Sequence, residues 1–190
     1  MIWLQCTDEE GEPWLKKHAD FSQVFLLGVS AGGNIAHQVM ALKPMKELEP
    51  QVSIQGLILV VPYFSAETPS ASELLYANDD IVPLTVNHTF WRLALPHGAN
   101  RDHPYSNVFS PDAPNLTHVQ FPRMLIVVGD KDPLNTRQME YYNALKNAGR
   151  DVNLVECPDC THAFRYFPQF EAERLRVDKA IVAFIHGADQ

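Results

Sequence analysis

The sequence predicts an α/β fold with a mostly parallel sheet and helices on both of its faces. Apolar runs at 24–27, 56–61 and 124–128 alternate with helical stretches, and a fourth strand candidate follows at 152–156. The three apolar runs are continuous, which is typical of strands buried on both faces of a parallel sheet. Strands that alternate with helices indicate right-handed crossovers. Because the 190 residues contain no repeat or linker, we expect one domain.

The helices follow the strands in order. An amphipathic stretch at 30–42 comes directly after the first strand. After the third strand, Pro133 precedes a helical stretch that ends near Ala148, where Gly149 provides the stop. A last helix is predicted from about residue 170 to 185.

A segment at about 67–122, rich in Pro, His, Asn and aromatic residues, separates the second and third strands. Short helices are predicted within it at 70–77 and 85–95. We expect this segment to be an inserted cap over the carboxyl edge of the sheet, where open α/β folds bind their ligands.

Composition argues against several classes of partner. The formal charge is −8, from 15 basic and 23 acidic residues, whereas nucleic acids and anionic membranes attract basic surfaces. No run approaches the roughly 20 apolar residues of a membrane span, and the first residues lack the pattern of a signal peptide. We therefore expect a cytoplasmic protein with no nucleic-acid partner and no membrane span.

The cysteines are few and odd in number: Cys6, Cys157 and Cys160. The C-P-D-C pair has no second pair to complete a zinc site, and it follows a late strand, where a redox pair is not typical. We expect reduced, unpaired thiols and no metal.

The strongest motif is Gly28-Val29-Ser30-Ala31-Gly32, between the first strand and its helix. In that context it predicts a nucleophile elbow, a strained turn that presents the serine hydroxyl above the sheet. The flanking glycines are expected to remove Cβ atoms that would clash, and the Ala31 N–H at the helix start can donate to an oxyanion. An ordinary glycine-rich turn is the alternative. A phosphate loop is disfavoured because no Lys-Ser or Lys-Thr follows.

An elbow serine needs a base, and that base needs an acid to orient it. Asp130 and Asp132 follow the third strand and His162 follows the fourth, at the sheet edge that also carries Ser30. Alternatively, Asp132 caps the next helix and His162 is a surface histidine. Spacing does not choose between the two aspartates.

Several segments together resemble plant carboxylesterases of the hormone-sensitive-lipase-like α/β-hydrolases, a group that includes the gibberellin receptor. They are A-D-F-S at 19–22, G-V-S-A-G-G-N-I-A-H at 28–37, F-W-R-L at 90–93, D-H-P at 102–104, P-R-M-L at 122–125, Y-N-A-L-K-N-A at 142–148 and T-H-A-F at 161–164. The resemblance implies an α/β-hydrolase fold and hydrolysis of a small-molecule carboxylic ester. It also implies Ser30 as nucleophile, His162 as base, Asp132 rather than Asp130 as acid, and no cofactor, because the intermediate is an acyl-serine.

Two departures from the family pattern shape our expectations. Val29 stands where the family has Asp, and the family's H-G-G-G loop of oxyanion donors has no counterpart in the sequence. We therefore expect residues 1–190 to form a partial hydrolase domain, the C-terminal part of the fold, with reduced activity. A hormone-receptor-like binding role without turnover and a vestigial truncated protein are the alternatives. The receptor lacks the catalytic histidine, so His162 favours the hydrolase.

Two further expectations concern surfaces. Tyr63, Phe64, Phe90 and Trp91 are candidates for a pocket that accepts an apolar acyl or alcohol group, although core packing is the commoner use of such residues. If no strand precedes 24–27, that strand becomes an unpaired edge. We then expect the chain to self-associate through it.

Overall fold

A computed structural model of the chain describes residues 13–42 and 52–187. Its elements are, in order, α1 (Pro13–His18), β1 (Val24–Val29), α2 (Ala31–Leu42), β2 (Ile54–Val60), α3 (Ala71–Leu75), α4 (Leu84–Ala94), β3 (Arg123–Gly129), α5 (Asn135–Asn147), β4 (Val152–Cys157), two 3₁₀ turns at Phe164–Tyr166 and Pro168–Phe170, and α6 (Glu171–Ile185). All four predicted strands and the major helices are present.

The four strands form one parallel sheet in the order β1-β2-β3-β4. Strand β1 is two residues longer than predicted, because Gly28 and Val29 still pair with Leu59 and Val60 of β2. Strand β2 ends at Val60, and the next residue has a φ of 42°. Since the strands are parallel, their carboxyl ends lie at one edge of the sheet.

Alternate residues of the central strands supply two cores. On one face, Leu57 and Ile126 belong to a cluster that includes side chains of α2 and α5. On the other face, Ile58 and Val127 pack with side chains of α6. The prediction of helices on both faces of the sheet is confirmed.

Strand β4 is exposed at Asn153 and Glu156, and the expectation that the strands are buried on both faces is also wrong for β1. Leu27 of this strand is 51% exposed, whereas the residues of β2 from Gly56 to Val60 are all buried. The physical reason is position, because β1 and β4 lie at the two edges of the described sheet and have fewer neighbours to cover them.

Helix boundaries differ from the predicted ones by up to two residues. Helix α5 begins at Asn135, two residues after Pro133. Helix α6 begins at Glu171, because Pro168–Phe170 forms a 3₁₀ turn instead. The segment between β2 and β3 contains α3 and α4, and α3 begins with a capping box in which Ser70 and Glu73 satisfy each other's backbone N–H groups.

Cys157 and Cys160 are both buried and unpaired. Burial raises the pKa of the Cys157 thiol to about 11 and that of the Cys160 thiol to about 12, so both remain thiols at neutral pH. Cys6 lies outside the described residues. Within 13–42 and 52–187, no helix is long and apolar enough to cross a membrane.

Candidate active site

Ser30 lies in a sharp turn between β1 and α2, with a φ of 54°. Its backbone is held on both sides: its N–H donates to the Val60 carbonyl, and its carbonyl accepts from the N–H groups of Gly33 and Tyr63. A positive φ is unfavourable for a residue with a Cβ atom. The strained turn predicted for the G-V-S-A-G motif is therefore confirmed.

The two motif glycines do not share the steric reason that we expected. A Cβ atom on Gly28 would overlap the backbone of Gly32 and Gly33, so glycine is required there. A Cβ atom on Gly32 would meet no atom within 4 Å, and the expected clash at that position is wrong. The second crowded position is Gly33, whose Cβ atom would lie 3.1 Å from Pro62.

Three side chains that are distant in sequence meet at the carboxyl edge of the sheet. The Oγ atom of Ser30 lies 2.7 Å from Nε2 of His162, and Nδ1 of His162 lies 2.9 Å from Oδ2 of Asp132. Asp132 is fully buried and His162 is 7% exposed. With a proton on Nδ1, His162 donates to the carboxylate and leaves Nε2 free to accept the serine proton. The roles of these residues in catalysis stay a prediction.

The Asp132 carboxylate is fixed by three donors. Besides His162, the backbone N–H of Leu134 donates to Oδ1 over 2.8 Å, and Nε2 of Gln138 donates to Oδ2 over 2.9 Å. Asp130 is exposed and has no such contact with His162. The N-cap position of α5 is Leu134 and not Asp132, although the Asp132 carboxylate accepts from the backbone N–H of that residue.

The loops that carry Asp132 and His162 are bonded to each other. The N–H of Asp130 donates to the Cys157 carbonyl and that of Lys131 to the Cys160 carbonyl. Lys131 also forms a 2.5 Å ion pair with Asp159, three residues before His162. The C-P-D-C turn therefore serves as a structural support for the histidine loop.

A cavity of about 480 Å³ opens beside Ser30 and His162. Three of the four predicted pocket residues line it, namely Tyr63, Phe90 and Trp91. Phe64 does not line it. That residue is buried in the core, where its ring packs against His37 and Tyr141.

Sequence reasoning missed five lining residues: Asn34, Ile35, Ile81, Val82 and Ala94. Asn34 had a usable signal, because it lies in the first turn of the helix that directly follows Ser30. Its Nδ2 donates to the carbonyls of Tyr63 (2.9 Å) and Tyr105 (2.8 Å), which fixes two loops beside the nucleophile. Ile81 and Val82 precede α4 and carry no periodic signal.

Ala31 is the first residue of α2, so its backbone N–H has no intrahelical acceptor. It directly follows Ser30, at the positive end of the helix dipole. Among the residues that the structure describes, no group of three or more His, Cys, Asp or Glu side chains could hold a metal ion.

Comparison with known proteins defines the family. A profile described as the alpha/beta hydrolase fold matches residues 2–166. The chain belongs to the α/β-hydrolase family. Carboxylesterase 20 of Arabidopsis thaliana is 38% identical over 156 residues, which cover 79% of this chain and 46% of that protein. The gibberellin receptor GID1A of the same plant is 33% identical, over 87% of this chain and 47% of the receptor.

Solved structures agree on the fold. The thermostable carboxylesterase EstE1, cloned from a metagenomic library, has a TM-score of 0.71 at 22% identity, over 93% of this chain and 60% of that one. An esterase of Rhizomucor miehei has a TM-score of 0.74 at 21% identity, over 89% and 51% of the two chains. The chain spans about half the length of the curated relatives that it matches.

Proposed function

We propose that the protein hydrolyses carboxylic esters with Ser30 as nucleophile. The observation that carries the proposal is the pair of hydrogen bonds, 2.7 Å from Ser30 to His162 and 2.9 Å from His162 to Asp132. A serine hydroxyl is a weak nucleophile until a base accepts its proton, and an imidazole needs an acid to fix its tautomer and orientation. The two contacts support the proposal on both points.

In the first half of the reaction, Oγ of Ser30 attacks the ester carbonyl carbon while its proton moves to Nε2 of His162. The buried Asp132 carboxylate stabilises the imidazolium that forms. When the tetrahedral intermediate collapses, the bond to the alcohol oxygen breaks and His162 returns the proton to that oxygen. The alcohol leaves, and the acyl group stays on Ser30.

In the second half, a water molecule attacks the acyl-Ser30 carbonyl and gives its proton to His162. Collapse of this second intermediate releases the carboxylic acid and returns the proton to Oγ of Ser30. The charge on the carbonyl oxygen develops beside the N–H of Ala31, at the start of α2. That N–H is the oxyanion donor that we assign to this turn.

Turnover by the 190-residue polypeptide is proposed to be slow. The sequence contains no H-G-G-G run to supply additional oxyanion donors, and loss of one such donor typically lowers the rate by about 10²–10³-fold. Substrates with an apolar acyl or alcohol group fit best, because the cavity is lined mainly by aliphatic and aromatic side chains.

Reaction with a fluorophosphonate probe tests the proposal directly. We expect Ser30 to be labelled, as identified by peptide mass spectrometry, and Ser30→Ala to lose both the label and hydrolysis of p-nitrophenyl acetate. Ser22→Ala is the matched control, since Ser22 is exposed and outside the site. Folded protein without label and without turnover would overturn the proposal.

The second candidate is ligand binding without turnover. It is favoured by the identity to gibberellin receptors, 33% for GID1A and 36% for GID1B. The contact between His162 and Ser30 favours hydrolysis over it, because a binding role requires no base at that position. Saturable binding of an apolar acid by protein that neither reacts with the probe nor turns over esters would support this alternative.

A further inference from the structure

Glu73 is a carboxylate that is 1% exposed and takes no part in the Ser30, His162 and Asp132 contacts. Its Oε1 accepts from Nδ2 of Asn87 over 2.7 Å, and its Oε2 accepts from the Ser70 N–H over 2.8 Å. Nε of Arg137 lies 3.7 Å from Oε2. A buried carboxylate is costly unless it is hydrogen-bonded and paired. The groups that contact the Glu73 carboxylate are therefore the groups whose positions it fixes.

Asn87 is the partner that connects Glu73 to the cavity. It lies in α4, is 1% exposed, and precedes Trp91 by four residues, so the two side chains lie on one face of the helix. Trp91 lines the cavity and stacks on Tyr63, with their ring centroids 5.4 Å apart. The bond between Asn87 and Glu73 thus fixes the turn of α4 next to the indole.

The first turn of α3 also bonds to the loop that carries Asp132. Oγ of Ser72 donates to the Pro133 carbonyl over 2.7 Å and accepts from the Thr136 N–H over 3.0 Å. Pro133 directly follows Asp132. The five-residue helix α3 therefore holds α4 at one side and the start of α5 at the other.

We propose that Glu73 and Asn87 are positioning residues that set the cavity wall formed by Trp91, and with it the size of the ester group that the site admits. Neither residue touches the reacting atoms. The kinetic consequence rests on the proposed ester hydrolysis, whereas the position of Trp91 does not.

A reciprocal exchange of the two side chains provides the test. Asn87→Asp alone places two carboxylates where a 2.7 Å hydrogen bond stood, so we expect α4 to move away from α3. The double variant Glu73→Gln with Asn87→Asp restores one donor and one acceptor in reverse order, and the glutamine oxygen can still accept from the Ser70 N–H. Asn143→Asp, on the exposed side of α5, adds the same charge as a control.

Two measurements follow these variants. With Trp3 and Trp14 replaced by Phe, the emission of Trp91 reports its own burial. We expect a red shift in Asn87→Asp and the original emission in the double variant and in Asn143→Asp. For p-nitrophenyl butyrate, we expect Asn87→Asp to raise KM about tenfold, the scale of a lost apolar contact in a pocket, with kcat unchanged.

Unchanged emission in folded Asn87→Asp, or red-shifted emission in the folded double variant, would overturn the inference. If Asn87→Asp fails to fold, the double variant still decides, because it retains the bond. If the parent protein shows no turnover, ester hydrolysis is rejected while the emission of Trp91 continues to test the positioning role. The failures of the two proposals are therefore distinguishable.

Discussion

Gly28 and Gly32, on either side of Ser30, differ in whether a side chain would fit at their position. The backbone of Gly28 packs directly on Gly32 and Gly33, whereas the space beside Gly32 is open. A backbone overlap is relieved only by moving the main chain, since no flexible side chain can rotate away. The tight fit of β1 against the first turn of α2 is what holds Ser30 at its positive φ.

Gly28→Ala and Gly32→Ala are therefore expected to behave in opposite ways. Gly28→Ala should lower the free energy of unfolding by about 1–3 kcal/mol, the usual cost of overpacking, and it should displace Ser30. Gly32→Ala should be neutral or stabilise by about 0.5–1 kcal/mol, because alanine favours a helix more than glycine does. Urea unfolding measures both. Equal destabilisation would contradict the steric explanation.

Site residues were predictable where a motif marks them and unpredictable where only packing selects them. The G-V-S-A-G turn indicated Ser30, and the positions after β3 and β4 indicated His162 and one of two aspartates, between which only the family resemblance chose Asp132. Gln138 and Phe64 show the limit. The glutamine reaches Asp132 across the buried face of α5, and Phe64 turns into the core although the adjacent Tyr63 lines the cavity.

Helices α2 and α5 meet through a polar contact inside an aromatic cluster. Nδ1 of His37 lies 2.8 Å from the hydroxyl of Tyr141, and the imidazole also packs against Phe64 and Phe121. Burial lowers the pKa of His37 to about 4 and raises that of Tyr141. The pair is therefore neutral, with the tyrosine hydroxyl able to donate to the imidazole.

This contact makes stability depend on pH in a defined direction. In the unfolded chain His37 has an ordinary pKa of about 6.5. Between pH 6.5 and pH 4 the unfolded state therefore binds a proton at His37 that the folded state does not bind. The stability that comes from keeping His37 neutral is fully present above about pH 6.5 and is lost as the pH falls towards 4. His37 should contribute a loss of about 2–3 kcal/mol between pH 7.5 and pH 4.5.

Urea unfolding at these two pH values tests the prediction. His37→Gln, which cannot be protonated, should show a smaller loss than the parent by about that amount. His186→Gln is the matched control, because His186 is exposed near the end of α6 and should leave the pH dependence unchanged. An identical loss in His37→Gln and the parent would contradict the assignment.

At the scale of elements, the hydrophobic pattern predicted the presence of strands and helices better than it predicted the residues at which they begin. Continuous apolar runs located β1, β2 and β3, and a mixed run that contains Asn153 and Glu156 located β4. The central strands β2 and β3 require such continuous runs because both of their faces are covered. The starts of α5 and α6 were missed by two residues and one residue. Pro133 lies in the turn before α5 and not at its first residue.

For the whole molecule, the order β1-β2-β3-β4 leaves two strands of the described sheet at its edges. Strand β1 bonds to β2 on one side, and within 13–42 and 52–187 no other strand pairs with it. Leu27 at its centre is 51% exposed. Unpaired N–H and C=O groups beside apolar side chains favour addition of another strand.

We therefore predict that the 190-residue polypeptide self-associates through β1. Its mass by sedimentation velocity should rise above the 21.5 kDa of one chain as concentration increases. Added salt should strengthen the association, because it screens the repulsion between chains of charge −8. Leu27→Lys should weaken association, since a charge on an edge strand opposes pairing. Leu175→Lys, at an exposed position of α6, should leave it unchanged. A mass that stays at one chain at every concentration and salt level would refute the prediction.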